Sequence, residues 1–397
     1  MRFSIGVIGR LRPLGLAFAA LGLALLAACG GGSGGGFSGP GPAITGSGGA
    51  VKVAVLLPLT ASGSAPAVAK ALKQAAELAL FDFDNPNIVL MPKDTKGSPE
   101  GAQAAAQSAL QDGAELIIGP LFAQEVTAAA PVARARGVPM IAFSSDEKVA
   151  GDGVYLLSFL AGRDVPRIVS FAMSRGKRNF AELIPQSAYG RIAETAFARA
   201  VSNGGGQAPV RATFAPGDAG AMQGPVSQVA NAIKSGQGVD AFFLPAGRED
   251  LPDLAPKLEA AGLSSASVQF IGTGQWDYPG IGNERALVGG WYPAPDPKGW
   301  SGFVERYTKT YGSSPPRIAS LGYDAVSLAV SLSSNPPGQR YTYSQLTRSS
   351  GFSGVDGLFR LLSDGTCERG LAILEVRAGA PAVIDPAPSA FATASTY

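Results

Sequence analysis

Apolar residues follow two different spacings along most of the chain, beginning at residue 51. Residues 51–57 form a short run rich in β-branched side chains, which stops at Pro58 and predicts a strand. Residues 65–83 instead repeat apolar side chains at the spacing of one helical face. Further strands are predicted at 87–91, 114–118 and 138–143, with helices at 98–111 and 125–136. Strands that recur about every 25–35 residues around helices indicate βαβ crossovers and a parallel sheet covered on both faces.

A second series of the same kind starts near residue 163. Its predicted strands lie near 179–184, 209–214, 239–244 and 268–271, and its predicted helices at 189–203, 222–235 and 250–261. Helices at 298–311 and 317–334 and strands near 357–361 and 371–376 follow. This order predicts an α/β fold of two Rossmann-like, doubly wound parallel-sheet lobes joined by more than one crossing. Ligands of open parallel sheets bind beyond the carboxyl ends of the strands, so a cleft is expected between the lobes.

The boundaries of the two lobes follow from where the alternation breaks. We expect an N-terminal lobe of residues 51–160 plus 295–352, a C-terminal lobe of 161–294 plus 353–380, and a tail of 381–397. The proline-rich segment 290–297 is interpreted as an extended connection between lobes, because each proline restricts itself and the residue before it.

The first fifty residues have a different character. A basic start followed by an uncharged, Leu/Ala-rich run predicts a signal peptide over residues 1–28. The run ends in Leu26-Ala27-Ala28-Cys29, which resembles the lipobox of bacterial lipoproteins and implies a lipid on Cys29. The alternative is an ordinary signal peptide followed by an incidental cysteine. Residues 29–50 are then a glycine-rich tether, and the expected location is the periplasmic side of a bacterial membrane, with the outer membrane as first choice.

Composition removes several classes of function. The chain contains no histidine, which excludes catalytic triads and every zinc site built on imidazole, and two cysteines are too few for a structural zinc site. Of 32 basic residues, three lie in the first twelve positions, which leaves 29 against 30 acidic residues in the remainder. Without a basic run, nucleic-acid binding has no electrostatic basis. No metal, no cofactor and no enzymatic activity are expected.

Five segments together, in this order, resemble the type I periplasmic binding proteins, the group that contains the branched-chain amino-acid receptors. The resemblance covers about residues 51–380, and its segments are KVAVLLPLT (52–60), DGAELIIGP (112–120), GVPMIAFSS (137–145), GYDA (322–325) and GVDG (354–357). A narrower likeness is to the penicillin-binding-protein activator lipoproteins. It rests on Asp94-Thr95, Gly113-Ala114, Ile117–Leu121, Gln124–Val126 and the Pro185-x-x-x-Tyr189-Gly190 segment.

The resemblance implies three crossovers between the lobes, and ligand groups that come from strand ends facing the cleft. The matching residues of this sequence are Thr60, Ser62, Phe122, Gln124, Ser144, Ser145, Asp146, Tyr189, Gln275, Trp276 and Asp277. We expect Trp276 to stack on a ligand or partner from its loop; the alternative is a side chain folded over its own lobe. The sequence lacks the hydroxyl-rich turn of the amino-acid receptors at 121–124, and Gln275 stands where they present an acid. Asp277 is the candidate to replace that acid.

Two functions remain open at this stage. The first is a non-enzymatic, lipid-anchored activator that binds a peptidoglycan synthase and regulates peptidoglycan synthesis. The alternative is a solute receptor that delivers an amino-acid-like or other small polar ligand to the permease of an ABC transporter. A receptor needs a cleft with satisfied polar groups, whereas an activator needs a rigid outer surface.

Overall fold

The computed structural model describes residues 49–84, 86–236 and 238–391. The predicted signal peptide, Cys29 and nearly all of the tether lie outside the described residues. Within the described ranges, no helix combines the length and the apolar character that crossing a membrane requires. The described residues form two α/β lobes, as predicted, and each is built on its own sheet.

The sheet of the first lobe has five strands that all run parallel. They are β1 (Val51–Leu57), β2 (Ile88–Asp94), β3 (Leu116–Ile118), β4 (Met140–Ala142) and β5 (Val154–Leu156), in the spatial order β2-β1-β3-β4-β5. The interior strand β1 buries every residue except Lys52, because helices cover both faces of the sheet. The sequence pattern had not indicated β5, which follows a glycine-rich loop.

Three helices connect these strands: α1 (Ala65–Phe81), α2 (Pro99–Gln111) and α3 (Ala123–Arg134). Helix α2 begins as predicted at Ser98, whose hydroxyl oxygen accepts a hydrogen bond of 3.0 Å from the backbone N–H of Gly101. Its buried face consists of alanines, which let the helix approach the sheet closely.

The sheet of the second lobe has seven strands. They are β6 (Asn179–Pro185), β7 (Gln207–Phe214), β8 (Ala241–Phe243), β9 (Gln269–Ile271), β10 (Trp291–Ala294), β14 (Ala372–Glu375) and β15 (Ala382–Asp385). Their spatial order is β15-β14-β10-β9-β8-β6-β7, and only β14 and β15 run antiparallel to their neighbours. The helices of this lobe are α4 (Val165–Ser174), α5 (Ala188–Asn203), α6 (Gln223–Lys234) and α7 (Leu251–Ala260).

The segment 290–297 corrects a prediction. It was interpreted as an extended connection, but its first half is strand β10, which pairs along its whole length with β14. Toward β9 only Trp291 is paired, and Pro293 further along the strand has no N–H to donate. The residues of β15 also belong to the sheet, although they lie in what was predicted to be the tail.

The chain returns to the first lobe after β10. It forms α8 (Pro297–Tyr311), α9 (Ala319–Ser333), α10 (Tyr343–Leu346) and a small antiparallel sheet of β11 (Phe352–Gly354), β12 (Gly357–Leu361) and β13 (Cys367–Arg369). Phe359 and Cys367 of this small sheet lie in the same hydrophobic core as β1. The expected boundary at residue 353 is therefore wrong: the chain crosses to the second lobe near residue 370, and only β14 and β15 belong there.

The second lobe contains a buried carboxyl group whose pKa is strongly shifted. Glu182 occupies an inward position on β6, its side chain is 8% exposed, and its Oε2 has no hydrogen-bond partner among the described residues. Burial, with a smaller contribution from Glu194, raises the pKa of Glu182 to about 7, although the guanidinium of Arg211 lies 3.5 Å away.

Replacing Glu182 should make the stability of the protein less dependent on pH. A pKa raised in the folded state means that the stability is fully present below about pH 4.5 and is lost as the pH rises through about 7. Glu182→Gln should therefore raise the free energy of unfolding by roughly 1–3 kcal/mol at pH 8 and change it little at pH 4.5. Urea denaturation at the two pH values measures this difference. Glu259 is exposed, so the control Glu259→Gln should change the free energy of unfolding by no more than about 0.5 kcal/mol at either pH. If both variants change the free energy of unfolding equally, the burial of Glu182 does not explain the effect.

Candidate functional site

A cavity of about 600 Å³ lies between the two lobes. Its walls include Ser145 after β4, Tyr189 at the start of α5, and Gln275 and Asp277 after β9. All of these residues follow the carboxyl ends of parallel strands, which is where open α/β sheets bind ligands.

The first lobe contributes a wall of mixed apolar and cationic character. Cys367, Arg369 and Leu371 line the cavity, and their spacing of two residues places them on one side of β13 and its continuation. Phe159, which is 40% exposed, and Arg317 complete this wall.

Two buried carboxylates lie behind the two arginines. Nη1 of Arg317 forms an ion pair of 2.6 Å with Asp356. Nη1 of Arg369 lies 3.5 Å from Asp324 and 3.9 Å from Asp356. Asp324 accepts a hydrogen bond of 2.6 Å from the backbone N–H of Val355. Burial, and then the neighbouring carboxylate of Asp356, raise the pKa of Asp324.

The second lobe contributes a wall with acidic groups. Asp164 accepts a hydrogen bond of 2.5 Å from the backbone N–H of Gly274, which ties the crossing segment to the loop after β9. The hydroxyl of Tyr189 donates to Thr273 at 2.7 Å in the same loop. Withdrawal from bulk water raises the pKa of Asp277, and the charge of Arg317 opposes that shift. Arg248 and Glu249 of this lobe also line the cavity. The wall of the first lobe is therefore cationic, whereas the wall of the second lobe carries carboxyl groups and one guanidinium.

The structure separates the predicted ligand residues into two groups. Four of them line the cavity: Ser145, Tyr189, Gln275 and Asp277. The others that follow strands of the first lobe do not line it, and they are Thr60, Ser62, Phe122, Gln124, Ser144 and Asp146. Local bonds occupy several of these. The hydroxyl of Thr60 donates to Asp94 at 2.5 Å, and that of Ser144 accepts from the N–H of Asp146 at 3.1 Å.

The prediction for Trp276 is wrong, and the alternative is confirmed. The indole is fully buried in the core of the second lobe, and its Nε1–H donates to the carbonyl of Leu244 at 3.1 Å. Its ring lies 6.2 Å from that of Tyr292. The loop after β9 curls so that its aromatic side chain anchors it to its own lobe, and this leaves Gln275 and Asp277 on the side of the cavity.

Sequence reasoning missed Phe159, Asp164, Arg317 and Arg369. One signal was present for Arg369, because a cationic residue that alternates with Cys367 and Leu371 breaks an otherwise apolar strand face. In the described ranges, no group of three or more His, Cys, Asp or Glu side chains is arranged to hold a metal ion.

The family model described as periplasmic binding protein matches residues 50–381. The chain belongs to the periplasmic binding protein family. Membership implies a periplasmic location, and the two parallel-sheet lobes are those of the type I fold. No curated protein matches this periplasmic binding protein.

Solved structures share its fold at low sequence identity. A protein from Rhodospirillum rubrum, described as a branched-chain amino acid ABC transporter, is 20% identical with a TM-score of 0.75, over 84% of this chain and 100% of that one. The branched-chain amino acid transporter substrate-binding protein LivJ of Streptococcus pneumoniae, in complex with isoleucine, is 18% identical with a TM-score of 0.56, over 85% and 99%. An R. palustris ABC transporter solute-binding protein in complex with benzoate is 19% identical with a TM-score of 0.55, over 86% and 99%.

The buried position of Trp276 predicts a structural role for its side chain. Trp276→Phe removes a buried hydrogen bond and leaves a cavity, which should lower the free energy of unfolding by roughly 2–4 kcal/mol. Thermal or urea unfolding followed by circular dichroism measures this loss. An unchanged unfolding transition would contradict the structural role.

Proposed function

We propose that this periplasmic binding protein is the solute receptor of an ABC transporter and binds a small molecule between its lobes without altering it. The observation that carries the proposal is the cavity of about 600 Å³ at the carboxyl ends of both sheets, with charged side chains from both lobes in its lining. A volume of this size holds a molecule between an amino acid and a small drug. The partner that follows from this function is the permease of the transporter.

The lining of the cavity favours a ligand with an apolar body and polar ends. Phe159, Ile192 and Leu371 offer apolar surface between the charged groups. The related structures named above hold isoleucine and benzoate, and both ligands combine an apolar part with a carboxylate. These similarities support a ligand of the same general kind, that is, an amino-acid-like or other small polar molecule.

The receptor replaces the peptidoglycan-synthase activator as the preferred function. The structures named above are transport proteins, and two of them hold a solute. Lipidation of Cys29 is compatible with the receptor function, because the lipid would hold the receptor at a membrane surface. Anchoring, and in which membrane, remains part of the proposal.

A thermal-shift screen of the purified protein against amino acids, aromatic acids and other small solutes tests the proposal. A solute at 100 times its Kd should stabilise the protein by about 2.7 kcal/mol and raise the melting temperature visibly. Ile192 is 48% exposed and lines the cavity from α5. The variant Ile192→Trp should therefore fill part of the cavity and weaken the binding of the same solute at least about tenfold.

Thr195→Trp is the matched control, since it adds the same bulk to an exposed position of α5 outside the cavity lining. It should retain the parental response. If no solute stabilises the parent protein in the screen, and a peptidoglycan synthase co-purifies with it, the receptor function is wrong and the activator function is favoured.

A further inference from the structure

The guanidinium of Arg369 is buried next to the cavity with part of its hydrogen-bonding capacity unused. Its side chain is 6% exposed, and Nη1 faces Asp324 at 3.5 Å. Its Nε and Nη2 have no hydrogen-bond partner among the described residues. Buried charged donors left without acceptors are costly, so a partner from outside the described residues is expected.

The neighbouring carboxylates have partners other than Nε and Nη2. Asp324 accepts from the backbone N–H of Val355 at 2.6 Å, and Asp356 accepts from the hydroxyl of Ser320 at 2.7 Å. Oδ1 of Asp356 forms the ion pair with Arg317 and has no hydrogen bond among the described residues. Arg369 lines the cavity, which is the route by which an external acceptor can reach Nε and Nη2.

The two unused donors share one edge of the guanidinium. Nε and Nη2 present parallel N–H groups at the spacing of the two oxygens of a carboxylate, which is the basis of bidentate recognition. The plane of the group is fixed by aromatic rings, since its Cζ lies 4.9 Å from the centre of the Phe159 ring and 5.7 Å from that of Phe359. Arg317 lies 5.2 Å from the same Phe159 ring and adds positive charge to this wall.

We propose that Arg369 binds the carboxylate of the transported solute through Nε and Nη2, with Arg317 strengthening the field and Phe159 and Leu371 contacting the apolar body. The inference rests on the proposed receptor function and names its ligand class as small organic carboxylates. Phe159 covers the guanidinium and is itself exposed to the cavity, so a displacement of its ring admits the carboxylate.

Calorimetric titration of the purified protein tests the ligand class. The probes are benzoate, phenylacetate and L-leucine, each compared with its carboxamide, which has the same shape without the anionic oxygens. At least one carboxylate should bind at least about tenfold more tightly than its amide. Equal binding of acids and amides, or binding of only neutral or cationic solutes from the wider screen, overturns the carboxylate site and leaves the receptor intact. If no solute binds, the proposed receptor function is wrong, and this inference fails with it.

Substitutions then locate the site. Arg369→Gln leaves Asp324 and Asp356 short of a compensating charge, so Arg369→Lys is the decisive variant: it keeps the charge and removes the planar pair of donors. The lysine variant should bind the carboxylate at least about tenfold more weakly and the amide within about threefold of the parent. Arg317→Gln should weaken the binding of the carboxylate severalfold.

Arg360→Gln provides the matched control. Arg360 lies on β12 of the same small sheet, is paired with Glu368 at 2.7 Å, and does not line the cavity. The Arg360→Gln protein should bind the carboxylate and the amide with the affinities of the parent protein. A folded Arg369→Lys protein with parental preference for the carboxylate, or an equal loss in Arg360→Gln, overturns the assignment.

Discussion

The carboxylate of Asp356 lies between the guanidinium groups of Arg317 and Arg369, 2.6 Å from the first and 3.9 Å from the second. With Asp324 these groups form a set of four charges drawn from the start of α9, from α9 itself, from the turn before β12 and from β13. Because a buried charge without its partner is far more costly than a complete set, the set holds these parts of the chain in one arrangement. The cationic wall of the cavity depends on it.

The opposite wall is fixed by different means. Asp164 and Thr273 hold the loop after β9 by hydrogen bonds, and the buried indole of Trp276 anchors the same loop from below. Each wall is therefore stabilised by its own contacts.

The periodicity of apolar residues predicted nearly all helices and the longer strands, because burial on one or both faces imposes these patterns directly. It missed helices α4 and α10 and the short strands β5, β11, β13 and β15, and it misassigned β10, where prolines resemble a connection. The lobe that buries Phe359 could not be predicted, since an apolar residue does not specify which core receives it. The same limit applies to the site: strand ends led to Ser145, Tyr189, Gln275 and Asp277, whereas Arg317 and Arg369 reach the cavity only after the chain has crossed between lobes.

The three crossings also govern when this protein can fold. Residues near 367 complete the first core, and β14 and β15, which end at Asp385, complete the second sheet. Both lobes thus contain contacts between distant parts of the sequence, and such contacts form late. Neither lobe can complete its hydrophobic core until almost the whole polypeptide has been synthesised. For a chain destined for the periplasm, this delay keeps it extended during synthesis and suits passage through a narrow translocation channel before folding on the far side.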